Sequence, residues 1–280
     1  MKGWQAVLLS VVLTLVCGTL ITRFLMGYTT IKPRVEAALT TDGAPDPSVY
    51  GAMLHDYATP AGFRYDAARQ DLRLEQSYAY FAAQALPTAS DDARLAHDIN
   101  AYNLLVVIGI SRNWPIENIE DMASAIEPIY GFGYFQARRY LVAGEKVSLH
   151  ALDQRIRQNA RFDVRVPFFQ ACGLGGCARL HNDPIDAEHL DEALDDAMVR
   201  FITNPQLVRV NRNDKTIEAA EALLAIEGPL VEFAKTRGYG DDLRAIIRHY
   251  GERSTALVNA IDEGFELKGI PFSFDVVSAR

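Results

Sequence analysis

The chain has 280 residues, which is enough for one large domain or two small ones, and its hydrophobic fraction of 49% and charged fraction of 23% are typical of a globular protein. Its net charge of −8 excludes the broad positive surface that nucleic-acid binding requires. The densest basic stretch, at residues 136–139, is too short to supply such a surface. We therefore expect no nucleic-acid partner.

The chain begins with a long apolar segment. Residues 4–26 carry one charged side chain, Arg23, over a length that matches the hydrocarbon core of a bilayer. A cleaved signal peptide would have a shorter apolar run and a small-residue cleavage site. Cys17 lacks the small residue that would precede a lipidated cysteine. We therefore predict that residues 1–27 form an uncleaved transmembrane helix, which contacts the lipid bilayer through residues 4–26.

Residues 28–47 predict a stalk between this anchor and the rest of the chain. They contain three prolines and a glycine among mainly polar residues, which disfavours long regular elements. A short helix is predicted within the stalk, over residues 34–39. The remaining residues, 48–280, are expected to form one globular domain.

Apolar periodicity and capping residues predict that this domain is mostly helical. Leu74, Tyr78 and Phe81 recur at helical spacing and form an apolar stripe. Asp91 is a favourable helix-starting residue that precedes a long apolar run, and Ser148 is a favourable helix cap. The predicted helices are residues 50–57, 67–86, 91–110, 148–159, 186–203, 219–237, 241–250 and 254–263.

Short extended segments complete the predicted fold. Residues 140–147 and 207–218 predict two β-hairpins whose turns are rich in Gly, Asn and Asp. Residues 164–170 and 270–275 are expected to be extended. The prediction is an α+β fold: a mostly helical single domain with a few short β-hairpins, preceded by one N-terminal transmembrane helix.

Two cysteines in a glycine-rich segment are the clearest chemical feature. Cys172 and Cys177 are separated by four residues, three of which are glycine. A disulfide is the favoured interpretation, and free structural thiols are a second. A nucleophilic cysteine would need a base, for which His150, His181 and His189 are available. Because no third and fourth metal ligands are singled out, we predict no metal and no cofactor.

Buried amides and a buried arginine predict a polar centre within the apolar core. Asn103 lies on the line of apolar residues along its helix, and Asn100 lies three residues earlier. Each amide either holds the backbone of a neighbouring loop or lines a pocket or anion site. Arg165 would need a carboxylate if it were buried, which Asp153 or Asp163 could supply.

The residues 98–103, Asp-Ile-Asn-Ala-Tyr-Asn, resemble the Trp-Ile-Asn-x-Tyr-Asn helix of domain-of-unknown-function family 547. The hairpin with its following helix, the segment 163–177 and the ending 271–275 occur in the same order in that family. The resemblance covers roughly residues 48–276. It implies a shared polar centre, and the family pattern places its arginine close to the cysteines. The residues expected at this centre are Asn100, Tyr102, Asn103, Asp153, Asp163 and Arg165.

The chain also departs from the family pattern at two histidines. The helix after the hairpin has Leu152-Asp153-Gln154 where the family has Ile-Glu-His, and the segment before the first cysteine has no histidine either. Ala178 follows the second cysteine where the family has proline. Because both histidines that could activate a cysteine are absent, these departures favour a protein without a catalytic cysteine.

Members of this family are often exported or attached to membranes in bacteria. The resemblance therefore implies a single-pass protein of the inner membrane with a periplasmic domain, although Arg23, Lys32 and Arg34 favour the opposite orientation. We predict a membrane-tethered, envelope-facing binding or accessory protein, with an envelope protein or a small ligand as partner. The alternative is a cysteine-dependent hydrolase or acyltransferase that uses Cys177 or Cys172.

Overall fold

The computed structural model describes residue 18 and residues 30–122, 133–159 and 161–279. The predicted transmembrane anchor, residues 1–27, lies outside these ranges except for residue 18. Within the described ranges, we find no helix that combines the length and the apolar character needed to cross a membrane.

The described part of the chain is α+β and mainly helical, as predicted. A 3₁₀ turn at Ile119–Met122 and a π turn at Gly133–Ala137 follow the longest helix. The α-helices are α1 (Ser48–Tyr57), α2 (Tyr65–Ala68), α3 (Leu72–Ala83), α4 (Asp91–Ser111), α5 (Leu149–Arg157), α6 (Val166–Phe169), α7 (Leu190–Thr203), α8 (Glu221–Leu224), α9 (Glu227–Arg237), α10 (Leu243–Tyr250) and α11 (Thr255–Asp262).

The strands within the described ranges form three small sheets. The strands are β1 (Thr30–Ile31), β2 (Ala58–Thr59), β3 (Gly62–Phe63), β4 (Arg139–Val142), β5 (Glu145–Val147), β6 (Val208–Asn211), β7 (Thr216–Ala220) and β8 (Glu266–Ile270). The pairs β2–β3, β4–β5 and β6–β7 are antiparallel, so both predicted hairpins are confirmed. The pairs β1–β4 and β7–β8 are parallel and join segments far apart in the chain.

Helix α4 is the centre of the core and agrees closely with its prediction. The Ser90 side chain accepts a hydrogen bond from the Ala93 backbone N–H, and two aspartates follow in the first turn. Every residue from Leu95 to Ser111 is buried. A helix that is buried on all sides needs neighbours all round, and α2, α3 and α5 pack against it.

Three sequence predictions of local structure are wrong. Residues 34–39 contain no helix; Leu39 instead pairs with Pro45 in a β-bridge. Residues 164–170 are not extended, since Asp163 accepts the Arg165 N–H and starts the helical turn α6. Residues 219–237 are not one helix, because Ala219 and Ala220 belong to strand β7, which pairs in parallel with β8, and α8 begins only at Glu221.

Two predicted helices are shorter than expected. The helix predicted over residues 67–86 is α3, which starts where the Asp71 side chain accepts the Arg73 backbone N–H. The helix predicted from residue 186 is α7, since the Asp186 carboxylate forms a turn with the N–H groups of Glu188 and His189 first. A side-chain cap therefore sets the start of α3, whereas an aspartate turn precedes α7, whose first residue has no side-chain cap.

Residues 30–32 lie on the domain. Strand β1, within the predicted stalk, pairs with β4. The Tyr78 hydroxyl donates to the Ile31 carbonyl at 2.5 Å, and Arg112 donates to the Lys32 carbonyl at 2.9 Å. These contacts place residues 30–32 against helices α3 and α4.

The C-terminal tail, residues 271–279, ties three distant segments together. The Ile119 N–H donates to the Phe274 carbonyl at 3.0 Å, and the Val277 N–H donates to the Gly173 carbonyl at 2.9 Å. At the end of the tail, the Ala279 N–H donates to the Phe63 carbonyl at 3.1 Å. The tail therefore holds the cysteine segment against the rest of the domain.

Candidate functional site

Both predicted core amides clamp backbone. Asn103 is 1% exposed; its Nδ2 donates to the Phe169 carbonyl at 3.2 Å, and its Oδ1 accepts the Ala171 N–H at 2.8 Å. Asn100 does the same for one residue, since its Nδ2 and Oδ1 bond the carbonyl and N–H of Ile185 at 2.7 and 3.0 Å. Each amide therefore holds a neighbouring loop, which is the structural alternative of the two interpretations.

Cys172 and Cys177 form a disulfide, which agrees with the favoured interpretation. Their Cα atoms are 5.8 Å apart, within the usual range for a disulfide. We call residues 172–177 the disulfide turn. Gly173 has a φ of +79°, a conformation that suits glycine. A Cβ on Gly176 would lie 2.8 Å from Phe272 Cε2, so this glycine permits the close approach of the C-terminal tail.

Arg165 is 1% exposed and is surrounded by three aspartates. It bonds Asp163 at 2.9 Å and Asp195 at 2.6 Å, and it also pairs with Asp191. Burial alone would lower the pKa of the guanidinium, but the hydrogen bonds that it donates to Asp163 and Asp191 outweigh burial and raise the pKa above its ordinary value. The arginine thus joins α6 to α7 as a compensated buried charge.

Asp153 and Tyr102 lie apart from this arginine. Asp153 bonds Arg157 at 2.8 Å, one helical turn away in α5, so Asp163 rather than Asp153 supplies the predicted carboxylate. Tyr102 is buried, and its burial, followed by the nearby Asp153 charge, raises the pKa of its hydroxyl. The six predicted residues are therefore divided among separate structural contacts.

The three histidines near the cysteines in sequence have different environments. His150 is exposed. His189 is exposed and bonds Asp186, which raises the pKa of its imidazole. His181 is 6% exposed and stacks on Phe169 with ring centroids 4.1 Å apart. Burial, followed by the charge of Arg200, lowers the pKa of His181 to about 4, so this imidazole is neutral at pH 7.

The residues that directly follow the disulfide turn line a cleft of about 580 Å³. Its walls come from the β2–β3 turn at residues 58–61, from residues 178–182, and from the C-terminal half of α7 with residues 203–207. We call it the 178–182 cleft. Phe168 and Phe201 are buried beneath it, with ring centroids 4.8 Å apart.

The polar side of the 178–182 cleft carries positive charge. Arg179 and Arg200 line it, whereas no aspartate or glutamate is among the described residues that line it. Arg179 Nη1 donates to the carbonyls of Leu174 and Cys177 at 3.4 and 2.8 Å, and Nη2 donates to Gln206 Oε1 at 2.9 Å. The disulfide turn therefore positions an arginine at the cleft.

Comparison with known proteins supports the resemblance inferred from the motifs. Residues 86–202 match the family model described as "Protein of unknown function, DUF547". The match begins before α4, includes the β4–β5 hairpin and the disulfide turn, and ends near the end of α7. The description of this family names no activity. No curated protein and no solved structure matches the chain.

The match to DUF547 confirms the predicted resemblance over residues 86–202, which is less of the chain than the predicted span of 48–276. The β2–β3 turn, which supplies one wall of the 178–182 cleft, lies before the match. The family-like segment therefore supplies the disulfide turn and most of α7, and the rest of the chain completes the cleft.

Sequence reasoning missed the cleft and a buried ion pair. Asp98 is 1% exposed and accepts two hydrogen bonds from Arg155 at 2.6 and 2.7 Å, and His97 Nδ1 lies 3.1 Å from it. An aspartate inside an apolar helix was an available signal for this pair. Within the described residues, no group of three or more His, Cys, Asp or Glu side chains is placed to hold a metal ion.

Proposed function

We propose that this chain is a membrane-tethered, envelope-facing binding or accessory protein without turnover, and that its ligand site is the 178–182 cleft. The disulfide is the observation that carries the proposal. Because Cys172 and Cys177 are bonded to each other, neither sulfur is a thiolate nucleophile in this state. The predicted polar residues nearby hold loops or form ion pairs instead.

The disulfide also supports the envelope-facing orientation. Disulfides persist in oxidising compartments such as the periplasm and are rare in the cytosol. The apolar length of residues 4–26 supports the tether, since it matches the thickness of a bilayer core. Together these features favour a domain held at the outer face of the inner membrane.

The size and lining of the cleft support binding of a small ligand. Its volume of about 580 Å³ falls within the range of small-molecule sites. The apolar residues beneath it and the polar groups on one side are the combination that such sites use. A small ligand is therefore favoured over the alternative partner, an envelope protein.

Alkylation without reductant on protein from intact cells tests the absence of a reactive thiol. Mass analysis of the peptide that spans Cys172 and Cys177 is expected to show no added alkyl group unless reductant is supplied first. Two added groups would contradict the disulfide and the envelope-facing orientation. One fast alkylation near neutral pH would instead support the cysteine-dependent hydrolase or acyltransferase.

Thermal-shift screening of the purified protein with chemically diverse small molecules tests the ligand site. Ala61 is exposed at the cleft edge, so Ala61→Trp should obstruct the cleft without disturbing the core. Ala256 is exposed and does not line the cleft, so Ala256→Trp is the matched control. We expect stabilising compounds whose effect is lost in Ala61→Trp alone; their absence would contradict a binding function for the cleft.

A further inference from the structure

We propose that the ligand of the 178–182 cleft is a monocarboxylate with an apolar body, held by Arg179. The inference rests on the proposed binding function and specifies the chemistry of its ligand.

The charge of the cleft lining is opposite to that of the whole chain. The chain has a net charge of −8, yet two arginines and no carboxylate are among the described residues that line the cleft. His181 adds no charge at pH 7, since burial lowers the pKa of its imidazole to about 4. A cleft with this lining attracts an anion.

The arginine that best fits this anion is Arg179. Its hydrogen-bond acceptors are two backbone carbonyls and the amide of Gln206, all of which are neutral. Within the described residues, no aspartate or glutamate pairs with it. By contrast, Arg200 bonds Asp196 at 2.6 Å. Because a guanidinium stays protonated, Arg179 keeps a partly buried positive charge that an anionic ligand would offset.

The donor count of Arg179 favours a carboxylate. A guanidinium has five N–H groups, and the three acceptors leave the Nε proton and one Nη2 proton. Arg179 Nε is buried without a hydrogen-bond partner among the described residues, so few donors remain for a ligand. The single uncompensated charge of Arg179 therefore matches a monoanion such as a carboxylate. A phosphate dianion would call for more donors than this single uncompensated arginine offers.

The apolar side of the cleft defines the rest of the ligand. Phe168, Phe201 and Leu207 are each buried beneath it and supply an apolar surface that can cover an aliphatic or aromatic body. The carboxylate could belong to a free acid or to the C-terminal residue of a peptide, since both can pair a carboxylate with an apolar side chain.

Calorimetric titration of the full-length protein tests the charge requirement without any substitution. The probes are phenylbutyrate and its uncharged isostere phenylbutyramide. We expect the carboxylate to bind at least about tenfold more tightly, since only it forms charge-assisted hydrogen bonds. N-acetyl-Gly-Phe and its C-terminal amide form a second pair. Tighter binding of the peptide acid than of phenylbutyrate would identify a peptide terminus as the source, and the reverse would identify a free acid.

Variants then locate the contact. Arg179→Gln should weaken phenylbutyrate at least about tenfold and leave the amide unchanged, whereas Arg212→Met, at an exposed arginine outside the cleft, should change neither. Because Arg179 also holds the disulfide turn, Ala61→Trp provides a second test that leaves those bonds intact. It should abolish binding of the acid, and Ala256→Trp should not.

The outcomes separate this inference from the proposed function. Equal binding of acid and amide, both lost in Ala61→Trp, would overturn the carboxylate assignment and leave the binding function standing. Binding of the acid that survives Ala61→Trp would place it elsewhere and overturn the assignment as well. Failure of the acids, together with failure of every compound in the diverse set, would overturn both.

Discussion

Replacement of Asn103 by leucine is the sharpest test of the amide clamp. In the folded chain, Asn103 Oδ1 accepts the Ala171 N–H and its Nδ2 donates to the Phe169 carbonyl. Both backbone groups are on buried residues. Leucine removes the two partners at once, and it leaves a donor and an acceptor in an apolar environment.

The expected cost follows from these two groups. Each buried polar group that loses its partner costs about 1–3 kcal/mol, so the pair costs about 2–6 kcal/mol. The apolar leucine side chain regains about 1–2 kcal/mol by its own burial. The difference leaves a range of about 0–5 kcal/mol, and from its midpoint we expect Asn103→Leu to lower the free energy of unfolding by about 2.5 kcal/mol.

Urea denaturation of the oxidised protein, followed by circular dichroism, measures this change. A loss of this size should lower the urea midpoint by about 1 M or more. Asn259→Leu is the matched control, because Asn259 is an exposed amide in helix α11. Amide hydrogen exchange adds a local measurement, since the Ala171 N–H should lose protection in Asn103→Leu alone. A midpoint shift no larger than that of the control would refute the clamp.

Three further predictions concern charge and packing. Burial lowers the pKa of the His181 imidazole from 6.5 to about 4, so the unfolded chain binds a proton at a higher pH than the folded chain does. The free energy of unfolding should therefore fall by up to about 3 kcal/mol as the pH is lowered from 6.5 to 4. His181→Gln should lack this loss in urea titrations. Arg165→Met should destabilise by about 1.5–3 kcal/mol in urea, since three partly exposed aspartates lose the hydrogen bonds of their cation. Gly176→Ala should cost about 1–3 kcal/mol in the same assay by crowding Phe272, whereas Gly228→Ala, in open space, should stabilise slightly.

Local sequence patterns predicted the elements whose causes are local. Helix α4 follows from a serine cap, acidic residues in the first turn and a long apolar run. The β4–β5 hairpin follows from Gly144, which has a φ of +77°, and Ser148 caps the next helix as expected. The burial of Asn103 followed from its helical spacing. In each case the residues that decide the structure are within a few positions of one another.

Long-range contacts account for the errors. Residue Ala220 was assigned to a helix, but parallel pairing of β7 with β8, some 50 residues later in the chain, keeps it in a strand. Asp153 or Asp163 was predicted to pair with Arg165, but Asp191 and Asp195 also pair with it, across 26 and 30 residues. The 178–182 cleft combines three separate segments. No pattern within a short window of sequence reports such pairings.

Contacts within the segment matched by DUF547, together with the C-terminal tail, restrict the backbone beside the 178–182 cleft. Asn103 holds the backbone just before the disulfide turn, and the carbonyl of Cys177, at the end of that turn, accepts a hydrogen bond from Arg179. The C-terminal tail contacts the same turn, because the Val277 N–H donates to the Gly173 carbonyl. Each contact restricts the segment that carries the arginine, so a guanidinium with neutral partners can be kept at one position beside an apolar surface. Such preorganisation reduces the entropy lost on binding. Under the proposed binding function, the buried amide and the disulfide would contribute to ligand affinity without touching the ligand.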